Sequence, residues 1–395
     1  MPYYRRVGGI PRKRHTQFRS PDGKLYAEEL MGVEGFSSDS ALLYHRHLPT
    51  AIVNAEAVED HRGTLTPNHP LLPRHFRAQD LKSEQQHDVD AVTGRRTLFG
   101  NSDLTIAFAV ATAPSPLYRN AAGDELLYVQ TGSATIETIY GVLEVTDGDY
   151  VVLPTSTTYR VLPHGEARLY VIEATGHIGP PKRYLSTKGQ FLEHAPYCER
   201  DQRGPDEPFT QDGTDVPVLV RHRAGLTRYT YANHPFDVVG WDGCLYPWVF
   251  NIRDFEPITG RVHQPPPVHQ TFEGPNFVVC SFCPRKVDYH PESIPVPYNH
   301  ANVDSDELMF YVGGNYEARK GSGIGIGSLS LHPSGFTHGP QPGAAEASIG
   351  VEYFDETAVM VDTFRPLELG EAAVTCEDPG YAWTWSGRGP GNSIR

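Results

Sequence analysis

The chain has 395 residues, with 34 Lys and Arg against 48 Asp and Glu, a formal net charge of −14. An acidic chain without a basic run is a poor partner for nucleic acid or an anionic membrane surface, and no apolar run reaches the roughly 18–20 residues needed to cross a bilayer. Its 38 Gly, 34 Pro, 21 Tyr and 17 Phe make it too apolar and aromatic for disorder, and suit many short strands joined by tight turns.

Met1-Pro-Tyr-Tyr-Arg-Arg is followed by no apolar core, so no signal peptide is read there, and five scattered cysteines argue against a disulfide framework. The setting expected is cytoplasmic and reducing. Residues 104–110, 134–140, 150–153 and 168–173 are short, β-branched and bounded by Gly, Pro or Asp, which predicts strands and a mainly β chain. Residues 177–235, rich in Pro, Gly, His and charge, read as a connection. The expected organisation is therefore 1–176, the connecting segment 177–235, and 236–395. His263 and His269 flank Pro265-Pro266-Pro267, an extended stretch, and are read either as acid/base groups or as plain loop histidines. Cys280-Ser-Phe-Cys283 continues an apolar segment and reads as a pair of core thiols. From about residue 364 a tail is expected to pack over the surface or a neighbour, with Ser386-Gly-Arg-Gly-Pro-Gly-Asn-Ser as its flexible end.

A weak internal repeat organises the rest. His300-x-Asn302-x4-Glu307-x6-Gly314, followed by Gly327-x5-Pro333-x-Gly335-x-x-His338, matches Tyr118-x-Asn120-x4-Glu125-x6-Gly132, followed by Gly148-x5-Pro154-x-Ser156-x-x-Tyr159. Both copies resemble the paired motifs of the cupin family, which implies a bicupin: two jelly-roll β-barrel domains with short helices. Two imidazoles and a carboxylate, His300, Glu307 and His338, form the facial ligand set of a non-haem Fe(II) site with positions open for substrate and O2. Asp304 and Asp306 compete for the carboxylate role, but Glu307 has its counterpart in Glu125 before the same x6-Gly turn. In the first copy both histidine positions are tyrosine (Tyr118 and Tyr159), poor Fe(II) ligands, so that half is expected to be metal-free. His332 lies six residues before His338, and strand alternation puts both on one face. It is read as a neighbour that orients a ligand, or as a fourth ligand. Tyr298 and Tyr316 are read as aromatic core or as hydroxyls that hold a substrate.

Further stretches carry a more specific likeness. Leu25-Tyr26-Ala27-Glu28-Glu29-Leu30-x-Gly32, Leu42-Leu43-Tyr44-His45-Arg46-His47-Leu48-Pro49, Pro235-Phe236-Asp237-Val238-Val239-Gly240-Trp241-x-Gly243, Pro297-Tyr298-x-His300, Tyr316-Glu317-Ala318 and Ser330-Leu331-His332 through His338-Gly339-Pro340 stand in the order found in homogentisate 1,2-dioxygenases. The chain resembles a divergent member of that family over most of its length. The resemblance implies Fe(II) held by His300, Glu307 and His338, with His332 beside the metal. It also implies a substrate pocket lined by Tyr298, Tyr316 and the ligand His338, with Tyr316 near the substrate carboxylate. The family's acid/base histidine corresponds by spacing to His269, with His263 as the alternative. The implied reaction converts homogentisate and O2 to maleylacetoacetate in tyrosine and phenylalanine catabolism, and the implied assembly is a homo-oligomer, trimer or hexamer. Where family members carry Arg after the first ligand histidine, this chain has Ala301. That departure favours, as an alternative, another dihydroxylated aromatic acid such as gentisate. A rival of another class is a non-oxygenase metal-binding cupin for a sugar or small acid.

Overall fold

The computed structural model describes residues 3–60, 62–81 and 89–388. All four predicted strands form, as Leu104–Ala111, Ser133–Thr138, Asp149–Leu153 and Ala167–Ala174. Only two α-helices occur among the described residues, Ala344–Ser348 and Glu371–Thr375, each one short turn. None is long and apolar enough to cross a membrane. The chain divides into two compact units, Met1–Arg62 with Gln85–Arg95 and Ala107–Asn251, and Gly63–Glu84 with Arg96–Ile106 and Ile252–Arg395.

In the first unit, Trp248–Asn251, Asp149–Leu153, Glu125–Thr131 and Ala167–Ala174 lie side by side in one sheet. A second sheet runs Gly141–Thr146, Ser133–Thr138, Thr158–Pro163, Tyr118–Asn120, Thr214–His222, Gly225–Asn233 and Ile52–Val58. Leu127, Val129, Val151 and Val171 of the first sheet pack with Ala134, Ile136, Leu143 and Val161 of the second in one buried cluster. This is the interdigitated interior of a two-sheet jelly roll, and it fills the unit with side chains.

The domain division differs from the sequence reading at both ends. Residues 177–235 are more than a connection, because Thr214–His222 and Gly225–Asn233 pair over nine residues each and extend the second sheet. Polar residues on their exposed faces and Pro217 disguise them as loop. Val238–Gly243 then pairs with Ser40–His45, so the first unit continues to Asn251 rather than ending at 176. Conversely, Arg74–Arg77 pairs with Ser328–His332 and belongs to the second unit.

The second unit is built on one sheet, ordered Gln270–Gly274, Phe277–Phe282, Glu356–Thr363, Asp306–Gly314, Ser328–His332, Arg74–Arg77 and Glu377–Asp378. The wall facing it is mostly irregular: residues 283–305 and 333–352 run there, tied by the short pair Arg285–Lys286 with Tyr353–Phe354. Where the first unit has a complete second sheet, this one leaves space. The C-terminal segment is integral rather than a loose cover, since Glu377–Asp378 pairs with Arg74–Arg77 and Tyr381 is buried. The part of the expected flexible end beyond residue 388 lies outside the described residues.

Candidate metal centre

The internal repeat is visible in the register of the strands. Tyr118 pairs with Tyr159 in the first unit, and His300 pairs with His338 in the second, through reciprocal backbone hydrogen bonds of 2.7 and 2.8 Å. Glu125 faces Leu153 and Glu173 on its flanking strands, as Glu307 faces His332 and Asp362. The spacing holds because both copies need left-handed backbone at the same turns. Gly132 and Gly314 have φ of 89° and 78°, and a Cβ there would lie 2.3 Å from Glu166 O and 1.9 Å from Asp355 O.

The contents of the two copies differ. In the first, the Arg95 guanidinium donates to Glu125 at 2.5 Å, Glu173 at 2.7 Å and Tyr159 at 2.9 Å, and lies over the Tyr118 ring. Tyr159 in turn donates to Glu125 at 2.6 Å. A covalently attached cation therefore occupies the centre of this copy. In the second copy neither Glu307 nor Asp362 has a Lys or Arg within ion-pair distance among the described residues; the partners of Glu307 are His300, His332 and His338.

One ligand atom from each of His300, Glu307 and His338 lies within 4.8 Å of the others. His300 Nε2 and His338 Nε2 are each 3.4 Å from a different oxygen of Glu307, near the roughly 3 Å separating adjacent ligands bonded at about 2.1 Å. His338 Nδ1 donates to Phe336 O at 3.2 Å, which fixes the tautomer and leaves a lone pair on Nε2. That Nε2 is buried and has no hydrogen-bond partner. A buried, unsatisfied imidazole nitrogen beside a buried carboxylate is what a metal ion would complete. These donors fit a divalent cation. Burial alone would push the Glu307 carboxyl up, but its three imidazole neighbours outweigh burial and hold it well below the usual range. Burial, reinforced by the Glu307 charge, pushes Asp362 up to about 8.

The competing carboxylates take no part in this cluster. Asp306 is turned away by strand alternation and accepts from the backbone N–H of Ser334 and Leu367, both at 2.8 Å, while Asp304 is exposed. His332 reaches the centre by a different route from the one expected. Its strand ends at His332, and a turn through Gly335 brings His338 back so that the two rings stack at 4.1 Å. Both His332 nitrogens are engaged, Nδ1 donating to Glu307 at 2.8 Å and Nε2 accepting from the Tyr381 hydroxyl at 2.8 Å. Burial, followed by the nearby Arg319 charge, pushes His332 down to about 3, so the ring is neutral. It orients Glu307 and has no nitrogen left to ligate.

A cavity of about 180 Å³ opens on His300 and Glu307, lined by Phe282, Met309, Met360 and Pro340 and by the polar groups His263, Tyr298, Tyr316, Arg285 and Arg319. His263 is on this wall and His269 is not. His263 Nε2 lies 3.2 Å from the Tyr298 hydroxyl, and Nδ1 is 3.7 Å from Asp288. His269 is buried against Phe282, its ring stacked at 4.4 Å, and burial pushes it down to about 3. Tyr316 lines the cavity with its ring, but its hydroxyl is held by backbone, accepting from Gly313 N–H at 2.8 Å and donating to Thr357 O at 3.3 Å. Cys280 and Cys283 are buried free thiols, as expected. Sequence reasoning missed Arg285, Arg319, Asp362 and Tyr381. Arg319 stands one residue beyond the Tyr316-Glu317-Ala318 stretch, and Arg285 follows a CxxC that drew attention only for its sulfurs. For Tyr381, 49 residues from His332, the sequence holds no signal.

Models of the N-terminal and C-terminal domains of homogentisate 1,2-dioxygenase match residues 5–252 and 262–388. The chain belongs to the homogentisate 1,2-dioxygenase family. Relatives include a Saccharolobus solfataricus protein provisionally described as a dioxygenase, 39% identical over 98% of this chain and 99% of that one. Homogentisate 1,2-dioxygenases of Emericella nidulans and Rhodopseudomonas palustris are each 26% identical, over 93% and 96% of this chain and 84% and 90% of theirs. Among solved structures, a cupin 2 conserved barrel domain protein from Leptotrichia buccalis is similar over 78% of this chain and 98% of its own, at 10% identity and a TM-score of 0.33.

Proposed function

We propose that this member of the homogentisate 1,2-dioxygenase family is an Fe(II)-dependent enzyme that opens the ring of homogentisate with O2 to give maleylacetoacetate. The observation that carries the reading is the His300–Glu307–His338 cluster, with its orphaned His338 Nε2, of which His300 and Glu307 line a mainly apolar cavity and His338 is buried behind them. Held by these three residues, Fe(II) would let electrons pass from the aromatic ring, the reductant, to O2. Glu307 is steered by His332, and His338 by the Phe336 carbonyl, so the ligands are aimed before any metal arrives. Phe282, Met309 and Met360 would pack the substrate ring and exclude water.

His263 is the proton acceptor in this reading. Burial lowers its affinity for protons, so it is neutral near pH 7 and free to take one from a ring hydroxyl. Asp288 lies 3.7 Å from Nδ1, and the Tyr298 hydroxyl at Nε2 can relay the proton, giving its own to that nitrogen as it takes one from the substrate. The proposal also includes a cytoplasmic setting and a homo-oligomer, the latter checked by light scattering. A second reading keeps the chemistry but changes the acid, to gentisate or a substituted homogentisate, and rests on Ala301 standing in place of the family arginine.

The test is O2 uptake by anaerobically Fe(II)-loaded protein on adding homogentisate, with His338→Ala alongside. Rapid uptake with a ring-opened product, absent in the variant, is expected. Uptake with gentisate but not homogentisate would move the assignment to the second reading. No uptake with any dihydroxylated aromatic acid would leave a metal-binding cupin without oxygenase activity.

A further inference from the structure

We infer that Arg319 is the residue that selects an anionic substrate, by receiving its carboxylate at the wall of the metal-site cavity. The inference rests on the proposed reaction for the identity of the ring, but on its own observations for the charge.

Two guanidinium groups line the cavity, and their circumstances differ. Arg285 is already neutralised: it pairs with Glu356 at 2.7 Å, donates to Cys283 O at 3.1 Å, and lies against the Phe282 and Phe354 rings. Arg319 forms no ion pair with a carboxylate among the described residues, although it is only 9% exposed. Its contacts are neutral, Nε to the Tyr311 hydroxyl at 3.3 Å and Nη1 to the Gly339 carbonyl. A guanidinium carries five N–H donors, and these two contacts leave Nη2 without a protein acceptor. A buried charge with unused donors is unfavourable unless something completes it. Among the described residues, the carboxylates of the cavity wall do not do so, because Glu356 is taken by Arg285 and Glu307 by the three imidazoles.

The surroundings hold the group rigidly. Arg319 closes the short helix Glu317–Arg319, and its own N–H bonds Tyr316 O at 2.9 Å. Gln341 N–H bonds Ala318 O at 2.9 Å, and Tyr311 is anchored to Ser330 at 3.0 Å. Arg319 also borders a surface cleft with Asn315 and Lys320, lined by no acidic side chain among the described residues. A planar fork fixed in this way suits a carboxylate, whose two oxygens can meet two parallel N–H groups.

The test is anaerobic calorimetric titration of the Fe(II)-loaded protein with homogentisate and with its neutral amide, in wild type, Arg319→Met and Arg319→Lys. With O2 excluded, binding is read apart from turnover. The wild type is expected to prefer the acid by roughly 10- to 100-fold, the size of a charge-assisted hydrogen bond. Arg319→Met should bring that ratio close to one while leaving amide affinity near wild type, and Arg319→Lys should keep part of it. A purely structural role would weaken acid and amide together. An unchanged ratio in Arg319→Met, or a wild type without preference for the acid, would overturn the inference. If the preference depends on Arg319 but no O2 is consumed aerobically, the anchor stands and the proposed reaction falls. If homogentisate is oxidised and the ratio ignores Arg319, the reverse holds.

Discussion

At the residue scale, the division of labour among the histidines of the second unit follows from where each nitrogen points. His263 faces the cavity, and His269, one helical turn of a proline-rich segment away, is sealed against Phe282. His263→Asn is therefore expected to lower kcat by about 10²- to 10⁴-fold, the range for loss of a general base, while His269→Asn leaves kcat largely unchanged. Steady-state O2 uptake decides this, and the opposite ranking would return the role to His269. Tyr381 tests the support of the metal ligands. Tyr381→Phe removes only the hydroxyl that fixes His332, and should weaken metal binding by about tenfold, the lower end of what such supporting groups contribute. Competition with a chromogenic chelator measures it. The three candidate ligands were legible because their spacing is set by strand length and two left-handed turns, which are local constraints. Tyr381 and Arg319 were not, since their roles depend on which distant segments the fold brings to one wall. The choice between His269 and His263, left open by the sequence, has the same origin: counting back from Phe277 gives sequence distance, but a short helix decides which side chain faces inward.

At the scale of the strand and its register, the two copies of the repeat solve the same electrostatic problem in different ways. Each places a glutamate opposite a second acidic residue on the neighbouring strand, Glu125 with Glu173 and Glu307 with Asp362. Arg95 balances the first pair from within the chain; Arg62 also pairs with Glu173, so removing Arg95 would leave the buried Glu125 without a cation. Arg95→Met should thus destabilise the protein by about 3–5 kcal/mol, with metal content per folded protein unchanged. A loss below about 1 kcal/mol in urea titration would mean that the pair is neutralised by other means. A second device lies in the paired strands Ala27–Gly32 and Ser40–His45. Burial pulls His45 down, but hydrogen bonds to Asp237 at 2.6 Å and Glu29 at 2.9 Å outweigh it, raising the ring from 6.5 to about 9. Because the folded value is the higher, the stabilisation is fully present below about pH 6.5 and is lost as pH rises through 9. The wild type should lose on the order of 3 kcal/mol over that window relative to His45→Asn. Parallel stability profiles for the two proteins would rule the clamp out. The sequence displayed the Tyr-for-His exchanges in the first copy, but not the guanidinium at its centre. Arg95 lies before the motif, outside the repeat that would have drawn attention to it.

At the scale of the whole molecule, the contrast between a built-in cation and a bound one predicts an uneven response to metal removal. A ligand that binds only the native state stabilises it by an amount set by its concentration relative to its dissociation constant. In the second unit that ligand would be held by His300 and His338 on the facing wall and by Glu307 on the main sheet, so its loss removes one tie between wall and sheet and leaves hydrogen bonds such as Ser334 N–H to Asp306 and Gln341 N–H to Ala318 O. The first unit has a complete second sheet, a side-chain-filled interior and Arg95 already in place, so nothing in it depends on an exchangeable ion. Hydrogen exchange followed by mass spectrometry, with and without a chelator, separates the two. Protection should fall in peptides covering 300–314 and 328–340, and stay constant in those covering 118–131 and 150–163. His338→Ala, without chelator, should reproduce the same pattern, because it removes the ligand whose Nε2 has no other partner. Equal loss across both sets of peptides would mean that the first unit also binds metal or that the units open together, and no loss in either would mean that the cluster contributes nothing to holding the second unit closed.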